Sequence, residues 1–349
     1  MKIIAFSPNK IIICGEHFVV YGAKAIAAPI DKGNKVILTA KKGETKIVLK
    51  SNLGKAEIIN GEFKGDKSFT IFFPLIKNLC GDKLEKIKET IEIEIISSNM
   101  PKGTGNSASI GIAIALSLLT YMKKNYDDEQ LFNYGQMVDE IAHGGKPSGI
   151  DAKTISSGKP QKFYKTFNPE KFYFEDINIE LPYKTCLLLI DTFKNKRETT
   201  AELIKRFAKA NKIKKLPSEL SDDERNKLLE NYSVIFEKFL KNLKKDGNAR
   251  ELGKAMNENH ELLKAVSNKE IEKIRRIALK NGVYGIKITG AGGKGGALIA
   301  LVDVEKKVDV ENAIKEIGYK VFDVNISKKG PRIEHIEKWR IWLFLKTKF

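Results

Sequence analysis

The chain reads as an α+β protein of two layered domains. At 349 residues it is long for one domain and comfortable for two. Strand-like and helix-like patterns alternate in both halves. The runs 35–40 and 45–50, on either side of Lys42 and Gly43, read as a hairpin, which argues against an all-parallel sheet.

The elements follow in order. Residues 2–6 and 10–14 suit short strands. Residues 91–96, Ile-Glu-Ile-Glu-Ile-Ile, alternate apolar and acidic side chains, the period of a half-buried strand, and run into a glycine-rich loop at 101–109. Residues 108–119 are apolar nearly all round and rich in small side chains, which suits a helix buried between neighbours. A second helix spans Asp127 to His143, with Asp127 and Asp128 at its positive N-terminal end. A boundary falls near Leu181 and Pro182. Beyond it, Cys186 to Ile190 is a fully buried strand, and amphipathic helical stretches cover about 198–211, 222–245 and 249–264. Residues 285–289 and 296–302 read as strands flanking a second glycine-rich segment, and 320–325 closes the pattern. There is no internal repeat and no low-complexity segment.

A hydrophobic fraction of 42% supports a large core. No apolar run is long enough for a membrane span, and the N-terminus lacks the pattern of a secretory leader. Cys14, Cys80 and Cys186 have no metal-ligand spacing; Cys14 and Cys186 sit in apolar runs and read as buried thiols of a reducing, cytoplasmic setting. The net charge of +18 leaves two readings open: solvated faces that also steer anionic substrates, or nucleic-acid binding. Interleaved Lys and Glu, with no basic stripe carrying aromatics before the C-terminus, favour the first, and no nucleic-acid partner is expected.

The chemistry concentrates in glycine-rich segments. Pro101, Lys102, Gly103, Thr104, Gly105, Asn106, Ser107 and Ala108 stand between a strand and a helix. Unsatisfied N–H groups at a helix start, with a glycine turn that admits close approach, form a seat for phosphate. Taken alone, the segment reads rather as a tight turn between strand and helix. Three further segments accompany it: Ser7-Pro-Asn-Lys10 leading to Glu16-His17-Phe-Val-Val-Tyr-Gly22, Lys146-Pro-Ser-Gly-Ile-Asp151, and Lys287-Ile-Thr-Gly-Ala-Gly-Gly-Lys-Gly-Gly296.

In this order the segments resemble the GHMP small-molecule kinases, most closely the mevalonate kinases among them, over about residues 3 to 328. The resemblance implies a two-domain GHMP kinase fold: a ribosomal-S5-domain-2-like half over 1–182, a ferredoxin-like half over 183–330, and a basic, aromatic tail over 331–349. It implies ATP and Mg²⁺ as cofactors and the 5-hydroxyl of mevalonate as acceptor, within isoprenoid precursor synthesis. Asp151 matches the catalytic aspartate and Lys10 the lysine that pairs with it. The loop 101–108 and Gly290, Gly292 and Gly293 match the nucleotide side. Glu16, His17, Arg197 and Thr199 match the acceptor side. Glu140, eleven residues before Asp151, and Ser107 match the Mg²⁺ shell. Asn106 stands where the family carries another serine of that shell, in a loop two residues shorter.

Other readings remain beside these. Asp151 could cap a turn, His17 could be a core histidine, Arg197 could belong to a surface cluster, and Lys294 could face phosphate or solvent. His143 and His260 read as structural, Asn257 likewise, and His335 as exposed. The tail could pack on the body, touch anionic lipid or pair with another chain, and a homodimer is open. Rival functions are another kinase of the family, acting on phosphomevalonate, a sugar or homoserine, and an inactive sensor on the same fold.

Overall fold

A computed structural model describes residues 1–81, 88–144, 148–194 and 197–337. Lys146 and Pro147 of the central motif, and 338–349 of the tail, lie outside the described residues. Strand β1 (Lys2–Cys14) is one continuous element rather than two. It runs antiparallel to β2 (Ala25–Lys42), and the register shifts between Pro8 and Asn9. Pro8 lacks an N–H, so an irregularity of pairing suits it, and the shift re-aims the residues that follow.

Strands β3 (Lys46–Ser51), β4 (Gly54–Ile59) and β5 (Glu62–Gly65) form a meander, followed by helix α1 (Phe73–Cys80) and strand β6 (Glu89–Ile96). The expected hairpin around Gly43 does not form. β6 inserts between β2 and β3, antiparallel to the first and parallel to the second. Helices α2 (Asn106–Tyr121), α3 (Asp128–His143) and α4 (Ile150–Ser157) follow, and α2 packs on β1 and β2 and against α3. Asp127 caps α3 with a reciprocal pair of hydrogen bonds to Gln130. Strands β7 (Gln161–Phe167) and β8 (Glu170–Asp176) extend the sheet from β2.

The chain then builds a second sheet. Strand β9 (Thr185–Asp191) is followed by α5 (Thr200–Ala210), α6 (Asp222–Asn242), α7 (Ala249–Leu262) and α8 (Lys269–Lys280). Then come β10 (Val283–Thr289), β11 (Ala297–Asp303), α9 (Lys307–Glu316) and β12 (Lys320–Val324). The order is β10-β11-β9-β12, antiparallel throughout, and α7 and α8 pack on β10. Strand β13 (Arg332–Glu337) returns to the first sheet and pairs with β1 at its edge, so this part of the expected tail is sheet, with His335 exposed on it.

Two large cores result. One, under the first sheet, gathers Ile3, Ala5, Leu38, Ile93 and the apolar faces of α2 and α3. The other joins the second sheet and its helices to Ile11, Ile13 and Ile26. All three cysteines are buried and free. No helix among the described residues is long and apolar enough to cross a membrane.

Candidate active site

Just beyond the irregularity in β1, Lys10 turns inward. Its side chain is 2% exposed, and Nζ lies 3.0 Å from Asp151 Oδ1 while donating to the Gly103 carbonyl at 2.9 Å. Asp151 stands in the first turn of α4, after Gly149 in a left-handed conformation, where the helix dipole favours a carboxylate. Burial pushes the Asp151 carboxyl up, Lys10 pulls it back and Asp139 pushes it up again; the outcome is above the usual aspartate range. A carboxylate so placed accepts a proton more readily than an exposed one.

The first glycine loop is held against β1 by its backbone. The Thr104 carbonyl accepts from Lys10 N–H at 2.9 Å and from Asn9 Nδ2 at 3.1 Å. Thr104 Oγ1 closes the turn onto the Pro101 carbonyl at 2.8 Å, while Lys102 and Gly103 are exposed. Gly105 caps α2 at φ 74° and supplies no side chain to the first N–H groups of the helix, those of Asn106, Ser107 and Ala108. That leaves a helix start open to an anion, which fits a nucleotide phosphate. Asn106, expected at a metal, braces the loop instead. Its Oδ1 accepts from Asn9 at 2.9 Å and its Nδ2 donates to the Met100 carbonyl at 3.1 Å. Both ends of the amide are thus engaged in holding the loop against β1.

Glu140 also departs from expectation. Its side chain is exposed and accepts from Gln136 Nε2 at 3.2 Å. The preceding residue, Asp139, is the one turned inward. Asp139 is 2% exposed, and its Oδ1 accepts from Ser107 Oγ at 2.5 Å and lies 3.3 Å from His143 Nδ1. Consecutive helical residues point about 100° apart, so counting eleven residues back from Asp151 lands one place off the inward face. His143, four residues after Asp139 and therefore on the same face, was the available signal. Through its bonds to Asp139, which outweigh burial, His143 is raised to about 9.

A buried carboxylate beside a hydroxyl, near a phosphate seat, suits a hard divalent cation that keeps water or phosphate oxygens as its other ligands. Among the described residues no cluster of three or more acidic, His or Cys side chains could hold a metal by protein groups alone. The donor set therefore fits Mg²⁺ held jointly with a nucleotide.

On the other side, Glu16 and His17 follow β1. His17 has φ 61°, stacks on Phe207 of α5, and is held through Nε2 to the Ala291 carbonyl at 2.9 Å. Since a carbonyl only accepts, Nε2 carries the proton; burial lowers the imidazole's pKa and leaves Nδ1 bare and without a partner. The second glycine loop reaches the first: a methyl added at Gly290 would lie 3.5 Å from the Gly103 carbonyl oxygen. Gly292 and Gly293 are buried and left-handed, Gly293 facing Glu198 and Leu203. Lys294 is exposed, and its N–H donates to Glu198 Oε2 at 2.7 Å.

Arg197 and Thr199 are engaged elsewhere than at Glu16 and His17. Arg197 is exposed over the Phe193 ring, and the Thr199 hydroxyl caps α5 through Glu202. Glu198, between them, ties this segment to the second glycine loop. Asn257 and His260 serve the C-terminal core, the first bonding Ile286 N–H and the second sitting fully buried against Glu272. The residues that sequence reasoning did not assign are Asp139, Asn9 and Lys287.

Residues 75–159 match the family model for the GHMP kinases N terminal domain, and residues 239–322 that for GHMP kinases C terminal. The chain is 30% identical over 334 residues to mevalonate kinase of Methanocaldococcus jannaschii, covering 91% of this chain and 97% of that protein. It is 29% identical to mevalonate kinase of Pyrococcus furiosus, covering 97% of this chain and all of that protein. The crystal structure of the Methanococcus jannaschii enzyme superposes with a TM-score of 0.73 at 27% identity, over 93% of this chain and 98% of that one. The crystal structure of L. major mevalonate kinase in complex with R-mevalonate shares the fold with a TM-score of 0.72 at 22% identity, over 93% of this chain and 96% of that one.

Proposed function

We propose, from the premise that this chain belongs to the mevalonate kinases of the GHMP kinase family, that it transfers the terminal phosphoryl group of ATP to the 5-hydroxyl of mevalonate. The observation that carries the reading is the ion pair of Lys10 and Asp151, set against the carbonyl of Gly103 at the mouth of the first glycine loop.

Asp151 receives the proton of the acceptor hydroxyl, and its raised pKa favours that role. Lys10 neutralises charge that develops on the transferring oxygens and orients Asp151. The open start of α2 and its glycine turn bind phosphate through backbone N–H groups. Asp139 and Ser107 are the residues that would hold Mg²⁺. There it would supply positive charge that offsets the charge of the nucleotide phosphates. Glu16 and His17 line the acceptor side, while the nucleotide side takes in loop 101–108 with Gly290, Gly292 and Gly293. Transfer is direct, from the nucleotide to the acceptor hydroxyl. The first half, 1–182, carries the nucleotide and catalytic motifs and the second, 183–330, closes over them; the change of sheet between Asp176 and Thr185 supports the division. A cytoplasmic setting goes with the proposal, supported by three unpaired thiols.

The test is an acceptor panel of mevalonate, phosphomevalonate and galactose with Mg²⁺ and ATP, reading ADP release and the phosphorylated product. Turnover with mevalonate alone is expected. Phosphorylation of the sugar but not mevalonate would overturn the assignment.

A further inference from the structure

A buried ion pair joins the two halves of the chain on the acceptor side. Lys287 is 0% exposed, and Glu16 is 3% exposed. Nζ of Lys287 donates to Glu16 Oε1 and to the Ile288 carbonyl, each at 2.5 Å. The other carboxylate oxygen, Glu16 Oε2, is buried and has no hydrogen-bond partner. A buried acceptor left unpaired is unfavourable, and native proteins keep few of them.

The placement of Lys287 follows from strand alternation. Along β10, Ile286 and Ile288 face the helices and join the second core, while Lys287 and Thr289 face the first half. Thr289 Oγ1 accepts from Ile12 N–H at 3.0 Å and donates to the Ile12 carbonyl at 2.9 Å. Thus β10 grips the segment that follows Lys10 at two points, Ile12 and Glu16. The second glycine loop, which continues β10, touches both Gly103 and His17. Glu16, which carries the unpaired oxygen, is thus fixed between the end of β1 and β10, and its neighbour His17 touches the second glycine loop.

We propose that Lys287 is a positioning residue for the acceptor: it fixes Glu16 from the second half of the chain so that Oε2 stands ready to accept a hydrogen bond from a hydroxyl of the bound acceptor. The inference rests on the kinase reading above and deepens it. A site built to accept from a hydroxyl discriminates strongly against an analogue that lacks one, because its buried oxygen then stays unpaired. Burial pushes the Glu16 carboxyl up and Lys287 draws it back; the other groups facing it are Lys10 and Cys14 from β1 and Tyr232 from α6. Without Lys287 the carboxyl holds a proton to higher pH, and Oε2 no longer offers a charged acceptor.

The experiment compares wild type, Lys287→Met and the paired variant Glu16→Gln/Lys287→Met, with KM for mevalonate and for ATP, kcat, pH profiles and thermal unfolding. Lys287→Met is expected to raise the mevalonate KM at least about tenfold while the ATP KM stays within about twofold. Its kcat/KM for mevalonate should rise with pH across a range where wild type is flat. The paired variant, which leaves no buried charge alone, should unfold near wild type yet keep the raised mevalonate KM with a flat profile. If Lys287→Met fails to fold, the paired variant decides, and a normal mevalonate KM there overturns the proposal. So does a loss that is equal for both substrates and tracks thermal stability. Wild type inactive toward mevalonate would overturn the functional reading and this inference with it; active wild type with an unchanged Lys287→Met overturns this inference alone.

Discussion

The ammonium of Lys10 lies 3.0 Å from Asp151 Oδ1 and donates at 2.9 Å to the carbonyl of Gly103, so one cation ties the Asp151 carboxylate to the first glycine loop. The loop answers through its own backbone, the Thr104 carbonyl accepting from Lys10 N–H. Neither loop nor carboxylate can shift without disturbing this lysine. Asp151→Asn keeps the shape and removes the proton acceptor. ATP affinity by calorimetry should stay near wild type while turnover falls at least about a hundredfold, the scale of a lost general base. Near-normal turnover would remove Asp151 from its role.

Asp139 and Glu140 separate a buried carboxylate from an exposed one by a single position. Asp139→Asn should raise the Mg²⁺ concentration needed for half-maximal activity by about tenfold or more, the scale of a disturbed metal ligand or its support. Glu140→Gln should leave it within about twofold of wild type. The reverse pattern in Mg²⁺ titrations would return the metal role to Glu140.

Gly105 combines φ 74° with a crowded site: an added methyl would stand 2.9 Å from Ile155 Cδ1 and 3.4 Å from both Asp151 Oδ2 and Lys10 Cγ. Gly105→Ala is therefore expected to lower stability by about 1–3 kcal/mol and to depress kcat as well. Gly144 ends α3 at φ 62° with nothing within 4 Å of its missing methyl. Gly144→Ala should lower stability by about 1 kcal/mol and spare kcat. Thermal unfolding and steady-state rates on both variants check the contrast.

His260 lies behind β10. Its Nε2–H donates to Glu272 Oε1 at 2.9 Å, and Nδ1 accepts from Ile288 N–H at 3.4 Å. Burial and then Arg275 hold the imidazole down from 6.5 to about 4. The folded value is the lower one, so this contribution to stability is complete above about 6.5 and is lost as pH falls toward about 4. Burial works upward on Glu272, but hydrogen bonds from Lys264, Ser267 and His260 outweigh it and bring it from 4.5 to about 2, so its own loss begins lower. Denaturant unfolding of wild type should weaken between pH 6.5 and 5, and His260→Gln should flatten that slope. An unchanged slope would contradict the assignment.

Local chemistry made part of this molecule readable from its residues. Asp127 and Asp128 marked the start of α3, and alternation in 91–96 marked β6, because both signals arise within a few residues of the element they specify. Pairing partners are set by distant segments. The runs on either side of Gly43 look like a hairpin, yet β6 comes from more than forty residues downstream to lie between them. The inward residue of α3 escaped for a rotational reason: Asp139 and Glu140 are equally acidic, and only helix phase against Ser107 and His143 distinguishes them. Lys287 was visible in its motif, but its partner Glu16 lies at the other end of the chain. The β-strand character of 332–337 was hidden by charge, because an edge strand with exposed side chains has no apolar alternation to betray it.

Strand β1 contributes Ile3 and Ala5 to one core and Ile11, Ile13 and Cys14 to the other. A single thirteen-residue thread is thus common property of both sheets, and its middle carries Lys10. Cutting the gene at Pro182 would not yield two free-standing pieces, since the upstream fragment would present greasy strand ends to water and the downstream one would lack a wall. The two halves are better regarded as one cooperative unit with a shared backbone spine. Lys10, carried on that spine, is thereby anchored from both sheets at once.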